Sequence, residues 1–357
     1  MTTLTHRQPM LPPPPTPTEI QLRHRITHAA AQRGFVAAGA APAEPLPQWR
    51  IAQVRRWTDS GRAAGMDYLQ RHLALRADPR ALVPGVRTVL SFALPYDPAP
   101  AFAPTALRLA RYALGSDYHD VVRDRLRSLL ADLGFDAAHE GRIFCDTAPV
   151  DERYWAWRCG LGAWLRSGMI AVPGCGTFVF LGEWFSPLSA EELLRRLPAE
   201  KPGEGTPVPA PARPVADSCL ACGRCVEACP GGALTDGGLD ACRCLSYLTI
   251  EHRGPLPPDT GRRMGQTLYG CDRCAEVCPH NAPLLSGHTA HPIPPELQPR
   301  PELLRRTPAE WQQLTPETYR ALFRGSAVKR AKYDGIIRNI SALAEAWEET
   351  PDAPPKC

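Results

Sequence analysis

Apolar residues recur at helical spacing over 19–33, which predicts an amphipathic helix there, and a further helical pattern runs over 48–75 around the GMDYL segment. The run VRTVLSFAL (86–94) has no polar alternation and reads as a strand buried on both faces. A third helix is predicted over 118–133, closed by Gly134, and a second strand over 177–181, TFVFL. Helices and strands in this order give an α+β or α/β region. Near the C-terminus, 327–347 is the most regular helical stretch.

Between the patterned segments the chain changes character. Residues 1–18 are dominated by proline and threonine and are expected to form a disordered tail. The stretch AEKPGEGTPVPAPARP, within 198–214, is rich in proline and glycine without periodicity and marks a linker. The expected organisation is a tail (1–18), a first α+β domain (19–197), the linker (198–214), a cysteine-rich module (215–285) and a C-terminal helical tail (286–357).

The 357 residues are 44% hydrophobic and 22% charged, an ordinary globular composition with room for more than one domain. No apolar run is long enough to span a bilayer, and the opening residues carry neither a hydrophobic signal segment nor a twin-arginine pair, so a cytoplasmic protein with no membrane partner is expected. A net charge of +4 excludes a polycation that holds nucleic acid by bulk electrostatics and leaves room for a local basic face. The cysteines change the picture most. Of 13, most crowd between Cys219 and Cys278, a pattern that in a reducing compartment favours metal over disulfides.

The run Cys219-Leu-Ala-Cys222-Gly-Arg-Cys225-Val-Glu-Ala-Cys229-Pro230 has the spacing C-x2-C-x2-C-x3-C-P. Three close thiolates wrap three corners of one cubane, and the fourth, carried away by a helical turn, ligates a second. A second motif, Cys271-Asp-Arg-Cys274-Ala-Glu-Val-Cys278-Pro279, lacks its first member, which an upstream cysteine must supply; Cys244 is preferred and Cys242 competes. Crossed ligation then assigns Cys219, Cys222, Cys225 and Cys278 to one [4Fe–4S] cluster and Cys229, Cys244, Cys271 and Cys274 to the other. Paired zinc sites are the competing use of such cysteines, but zinc favours separated C-x2-C knuckles without the trailing proline. Cys145, Cys159, Cys175 and Cys357 have no ligand spacing and are expected to be buried or incidental thiols.

No dinucleotide-binding glycine fingerprint, phosphate-binding lysine loop or metalloprotease helix occurs, so generic motifs stop at an iron–sulfur redox protein. Longer blocks go further. RADPRALVPGVRTVLSFALPY (76–96), RYALGSDYHDVVRDRL (111–126), FCDTAPVDERYWAWRCGLG (144–162), FVFLGE (178–183), LDACRCLSYLTIEHRGPLP (239–257), YGCDRCAEVCPHN (269–281) and FRGSAVKRAKYDGIIRNISALAE (323–345) resemble the epoxyqueuosine reductase family. The resemblance implies a nitroreductase-like cobalamin-binding domain, related to that of reductive dehalogenases, followed by a two-cluster ferredoxin-like domain. The activity it implies is cobalamin-dependent reduction of epoxyqueuosine in a tRNA anticodon loop to queuosine, with electrons supplied by a donor protein or reductase.

The resemblance also implies site residues. The family's acid lies in a V-D-[ST]-x-P block that here reads Cys145-Asp146-Thr147-Ala148-Pro149, making Asp146 the candidate proton donor; as residues alone, the same block is a capped turn. Glu152 and Arg153 would brace the acid or touch the corrin, and Tyr118 and His119 match the family's D-Y-H element at a helix start. Where the family reads G-W-I-G-K-N, this chain has Gly162-Ala163-Trp164-Leu165-Arg166-Ser167, so Arg166 offers a planar fork in place of a point charge to the cofactor or substrate pocket. Arg324, Lys329, Arg330, Lys332 and Arg338 would face tRNA phosphates, or form a solvated helix face. Two other readings are a reductive dehalogenase of small organohalides, which shares both domains, and a non-catalytic ferredoxin carrier, which has no use for residues 19–197.

Overall fold

A computed structural model describes residues 14–198, 217–235, 238–288 and 291–348, so most of the expected linker and residues 1–13 of the expected tail lie outside the described residues. Helix α1 (Pro17–Ala31) starts inside that tail. Thr16 and Glu19 form a capping box, each side chain bonding the other's backbone N–H, and Pro17 occupies a first-turn position that needs no donor.

The following elements are β1 (Ala37–Pro42), α2 (Gln48–Asp59), β2 (Thr88–Pro95), α3 (Tyr118–Asp132), β3 (Arg142–Phe144), α4 (Glu152–Arg158), β4 (Val179–Ser186) and α5 (Ala190–Arg196). The strands form one antiparallel sheet in the order β1-β2-β4-β3. All eight residues of β2 are buried, as its unbroken apolar run requires of a central strand covered on both faces. One face packs on α1, α3 and α5 through Leu22, Ile26, Val122, Leu126 and Leu193. The other packs on α4 through Tyr154, Trp155 and Trp157.

Two predicted helices are interrupted. The pattern over 48–75 breaks after α2, where Gly61 and Ala64 adopt positive φ, before short helical turns at Tyr68–Arg71 and Leu73–Ala77. Contacts to the cysteine module hold the break: Trp57 Nε1 donates to the Leu239 carbonyl at 2.6 Å and the Gly65 N–H to Tyr247 Oη at 2.9 Å. Over 327–347, a 3₁₀ turn (Ala327–Ala331) precedes α6 (Lys332–Glu348), with Lys332 at φ 62° where the two meet. The strand expected at 177–181 is longer, reaching Ser186.

Packing crosses the expected domain boundaries. A third core combines Leu107 and Leu109 with Leu268, Tyr269, Trp311, Phe323, Ile336 and Leu343, and Arg108–Leu109 pairs in parallel with Thr267–Tyr269. The C-terminal helices thus close over the cysteine module and a loop of the first region together, instead of trailing as a tail. Among the described residues no helix is long and apolar enough to cross a membrane.

Candidate active site

The cysteines fall into two electrostatic groups. The Cys225 thiol feels Cys219 and Cys278, and Cys278 feels Cys219 and Cys222. Cys271 feels Cys244 and Cys229, and Cys274 feels Cys271 and Cys244 and, more weakly, Cys225 of the first group. Burial followed by these neighbours pushes the Cys271 and Cys274 thiols up to about 12. These neighbourhoods are compatible with the crossed ligand sets read from spacing. All eight thiols are half-buried, whereas Cys242 is exposed, with its Sγ 3.5 Å from the Gly61 carbonyl and its strongest charged neighbour being Asp240. Among the described residues no three Cys, His, Asp or Glu side chains converge as tightly as one metal ion requires. Cys145, Cys159 and Cys175 are buried away from both groups, and Cys357 lies outside the described residues.

The module is pinned to the first region by buried polar contacts. Asp272, between Cys271 and Cys274, accepts from the Arg111 N–H at 2.8 Å and its guanidinium at 3.1 Å, and Glu276 accepts from the same guanidinium at 2.9 Å. Asn281, three residues after Cys278, accepts from the Thr177 N–H at 2.9 Å and donates to Thr177 Oγ1 and the Ala275 carbonyl, both at 2.8 Å. Gly176 permits that approach, because a Cβ there would lie 2.0 Å from Asn281 Oδ1.

Asp146 stands at the end of β3 with φ 57°, a left-handed conformation that a non-glycine residue holds only under constraint. The constraint is visible: its N–H donates to Glu152 Oε1, and the Thr147 N–H turns back to the Cys145 carbonyl at 2.7 Å. Its carboxylate accepts from Tyr118 Oη at 2.9 Å and meets His119 Nε2 at 3.1 Å, while its side chain stays 58% exposed. Asp117, the N-cap of α3, holds the other ring nitrogen, His119 Nδ1, at 2.6 Å and also accepts the His119 N–H. Tyr118 is sandwiched between the His119 ring, 4.0 Å between centroids, and Phe180, at 4.3 Å.

Burial acts to lower the His119 pKa, but hydrogen bonds and charge from Asp117 and Asp146 outweigh it and raise it to about 9. Burial acts to raise Asp146, but bonds from His119 and Tyr118, together with the charges of His119 and Arg153, hold it below the usual carboxylate range. The resting pair is therefore imidazolium and carboxylate, with the proton on His119. The sequence expectation put the proton on Asp146 alone; two donors pointing at one carboxylate explain the difference.

Beneath this pair lies a second carboxyl pair. Glu183 sits in mid-β4, in register with Ser91 on β2 and Phe144 on β3, completely buried. Ser91 Oγ donates to its Oε1 at 3.2 Å, its Oε2 has no donor among the described residues, and its side chain contacts that of Glu152. Burial and the Asp146 charge push Glu152 up to about 8, and burial and Glu152 hold Glu183 well above the usual carboxylate range. Sequence reading missed Glu183, although a glutamate inside an otherwise apolar strand, in the quoted FVFLGE block, was the available signal.

Other expected residues scatter. Arg153 is exposed near Asp146 and lends it charge. The charge of Arg166 reaches Cys225, placing that residue beside the first cysteine group. Arg338 donates to the carbonyls of Leu248, His252 and Gly254, a cap that removes it from any phosphate-binding face. Arg330 makes a two-pronged pair with Glu251, both contacts at 2.7 Å. Arg324, Lys329 and Lys332 are exposed. Tyr68, from the broken helical segment, lies within electrostatic reach of Asp146, Arg76 and Arg330, so three stretches of chain converge above the acid. A cleft of about 500 Å³ runs along α3, lined by Arg33, Asp117, Asp120, Arg125 and Arg300 among others; it shares Asp117 with the Asp146–His119 network but not Tyr118, His119 or Asp146 themselves.

Comparison with known proteins agrees with this geometry. Residues 76–147 match the family described as "Epoxyqueuosine reductase QueG, DUF1730", and residues 218–281 match a 4Fe-4S double cluster binding domain. The epoxyqueuosine reductase of Leadbetterella byssophila is 32% identical, the alignment covering 88% of this chain and 96% of that relative. An epoxyqueuosine reductase crystallised with a tRNA-Tyr epoxyqueuosine-modified tRNA stem loop superposes with a TM-score of 0.74 at 26% identity, over 93% of this chain and 83% of that one. The Bacillus subtilis epoxyqueuosine reductase, solved with its catalytic aspartate loop swung out of the active site, superposes with a TM-score of 0.73 at 26% identity and the same coverages, 93% and 83%.

Proposed function

The chain belongs to the epoxyqueuosine reductase family, and from that premise we propose that Asp146 and His119 form the proton-donating site at which its electrons are spent. The protein is an oxidoreductase that reduces epoxyqueuosine in tRNA to queuosine, using two [4Fe–4S] clusters and cobalamin. The observation that carries the site is one carboxylate, exposed on a constrained loop, touched by a tyrosine hydroxyl and a histidine that itself leans on a helix-capping aspartate. A catalytic aspartate loop in a related enzyme lends this reading weight.

The cysteine groups would hold the clusters, Cys219, Cys222, Cys225 and Cys278 one of them and Cys229, Cys244, Cys271 and Cys274 the other. The sheet clad by helices on both faces is consistent with a nitroreductase-like cobalamin domain, and the opening framed by Tyr68, Arg76, Asp146, Arg153 and Arg330 is where its residues would meet corrin and substrate. Bound cobalamin supplies the low-potential two-electron reductant. The chain's own residues do the rest. His119 passes its proton to Asp146, the carboxylic acid so formed donates it to the epoxide oxygen, and Tyr118 fixes the carboxyl group so that the acid points outward. Asp117 keeps the imidazole oriented and raises its basicity, as a carboxylate behind a histidine does. A separate donor protein would recharge the clusters, in the cytoplasm where tRNA substrates are found.

The test is anaerobic reconstitution with iron, sulfide and cobalamin, addition of a strong reductant, and nucleoside mass analysis of tRNA carrying epoxyqueuosine. Queuosine is expected; its absence from a fully loaded enzyme would sink the assignment.

A further inference from the structure

Converting an epoxide to an alkene and water breaks two C–O bonds and consumes two electrons and two protons. Two [4Fe–4S] clusters store the two electrons, one each. The Asp146–His119 pair, with its imidazolium, stores one proton. Resting on the function proposed above, we infer that the carboxyl pair formed by half-buried Glu152 and buried Glu183 stores the second proton and delivers it to Asp146.

The geometry requires a proton there. Two carboxylates only accept, so the contact between Glu152 and Glu183 is favourable only when a proton lies between them. Glu183 Oε2 is completely buried and has no donor among the described residues, while its other oxygen is already served by Ser91. An ionised carboxylate in that position, with Leu181 and Phe185 on the same face of β4, would carry a large desolvation cost. The groups facing the pair are Ser91 on β2, Cys145 and Asp146 after β3, Asp151 and Arg153 around α4, Cys159 behind it, and His119 on α3. Only Arg153 and His119 are cationic, and Asp151 is already bound by Arg50 at 2.7 Å.

The same geometry supplies the timing. Glu152 stands beside the reacting site, accepting the Asp146 backbone N–H and lying within reach of the Asp146 charge. When His119 gives up its proton to the opened epoxide oxygen, the imidazolium charge that held Asp146 acidic disappears. Asp146 becomes more basic and draws the proton from Glu152, and that proton leaves with the hydroxyl oxygen as water. The Glu pair ends the turnover one proton poorer and refills from solvent.

Infrared spectroscopy of the protein without tRNA tests the store directly. At pH 7 wild type is expected to show the carbonyl stretch of a protonated carboxylic acid, and Glu183→Gln to lose it, because the amide donates to Glu152 and lets it ionise. Clusters, melting temperature and KM for tRNA are expected to stay near wild type, while kcat falls roughly 10²-fold and its alkaline limb moves to lower pH. A Glu183 protonated for structural reasons alone would lose the band too, but would leave kcat and the limb where they are. Glu152→Gln, which keeps an acceptor for the Asp146 N–H, is the second variant and should show a similarly slow kcat with no Glu152 limb. A wild-type spectrum without the band, or an unaltered pH profile in both variants, would overturn the proposal. The infrared result stands apart from queuosine formation, so failure of the assigned reaction is recognised separately.

Discussion

The cysteine module and the carboxylate site both hold charge inside the protein, by opposite means. The eight cysteines come from two short stretches and one nearby residue, and what would neutralise their thiolates is metal. Asp146, His119, Glu152 and Glu183 come from four elements, α3, the loop after β3, α4 and β4, and neutralise one another with protons. The first site is therefore sensitive to a single ligand and to reductant, the second to pH. Asp272 and Asn281 join the two, one acid and one amide on cluster loops anchored to Arg111 and Thr177 of the first region.

The largest effect should come from the ligand sets. Cys244→Ala is expected to cost one cluster's worth of iron and sulfide and essentially all turnover, while Cys242→Ala keeps both; equal iron in the two variants would break the crossed assignment. Next comes the joint. Arg111→Met strands Asp272 without its cation and leaves Glu276 only Arg273, and about 3–5 kcal/mol of stability should be lost, read as a lowered denaturation midpoint with earlier release of iron.

A smaller effect follows from pH. His119 titrates at about 9 against an ordinary 6.5, so its contribution to stability is complete below 6.5 and disappears as pH rises through 9. Glu152 titrates at about 8 against 4.5, so between those values the folded state holds the extra proton and stability again falls with rising pH. Stability should therefore fall with rising pH from about 4.5 and level off above about 9, and turnover should decline between about pH 8 and 9, with the clusters still intact by absorbance. Turnover that stays flat through this range would separate catalysis from these groups. The smallest effect concerns tRNA: Lys329→Ala with Lys332→Ala should weaken binding several-fold and flatten its salt dependence, whereas Arg338→Ala should lower stability instead, because its guanidinium is spent on three backbone carbonyls.

What could be read from the chain follows the same division. The C-x2-C-x2-C-x3-C-P run, the central strand and α3 were legible because spacing and periodicity are local. The choice of Cys244 over Cys242 was legible as a preference, and the exposed Cys242 beside Asp240 now lies apart from both thiol groups. The break after α2 was not legible, since it is held by Trp57 bonding Leu239 and Gly65 bonding Tyr247, both across a long stretch of chain. Nor was the resting charge of Asp146, which depends on a tyrosine and a histidine 28 and 27 residues away, or the register that sets Ser91 opposite Glu183. The C-terminal arginines looked alike in sequence, and only packing distinguishes the structural Arg338 from exposed Lys329 and Lys332.

The account turns on the cysteine module delivering its electrons to chemistry at Asp146. Single-turnover reduction of epoxyqueuosine-containing tRNA by prereduced Asp146→Asn enzyme, quenched and digested for nucleoside mass analysis, tests it most directly. The variant is expected to retain iron, cobalamin and tRNA binding yet form queuosine at least 10²-fold more slowly than wild type; queuosine appearing at the wild-type rate would contradict the account.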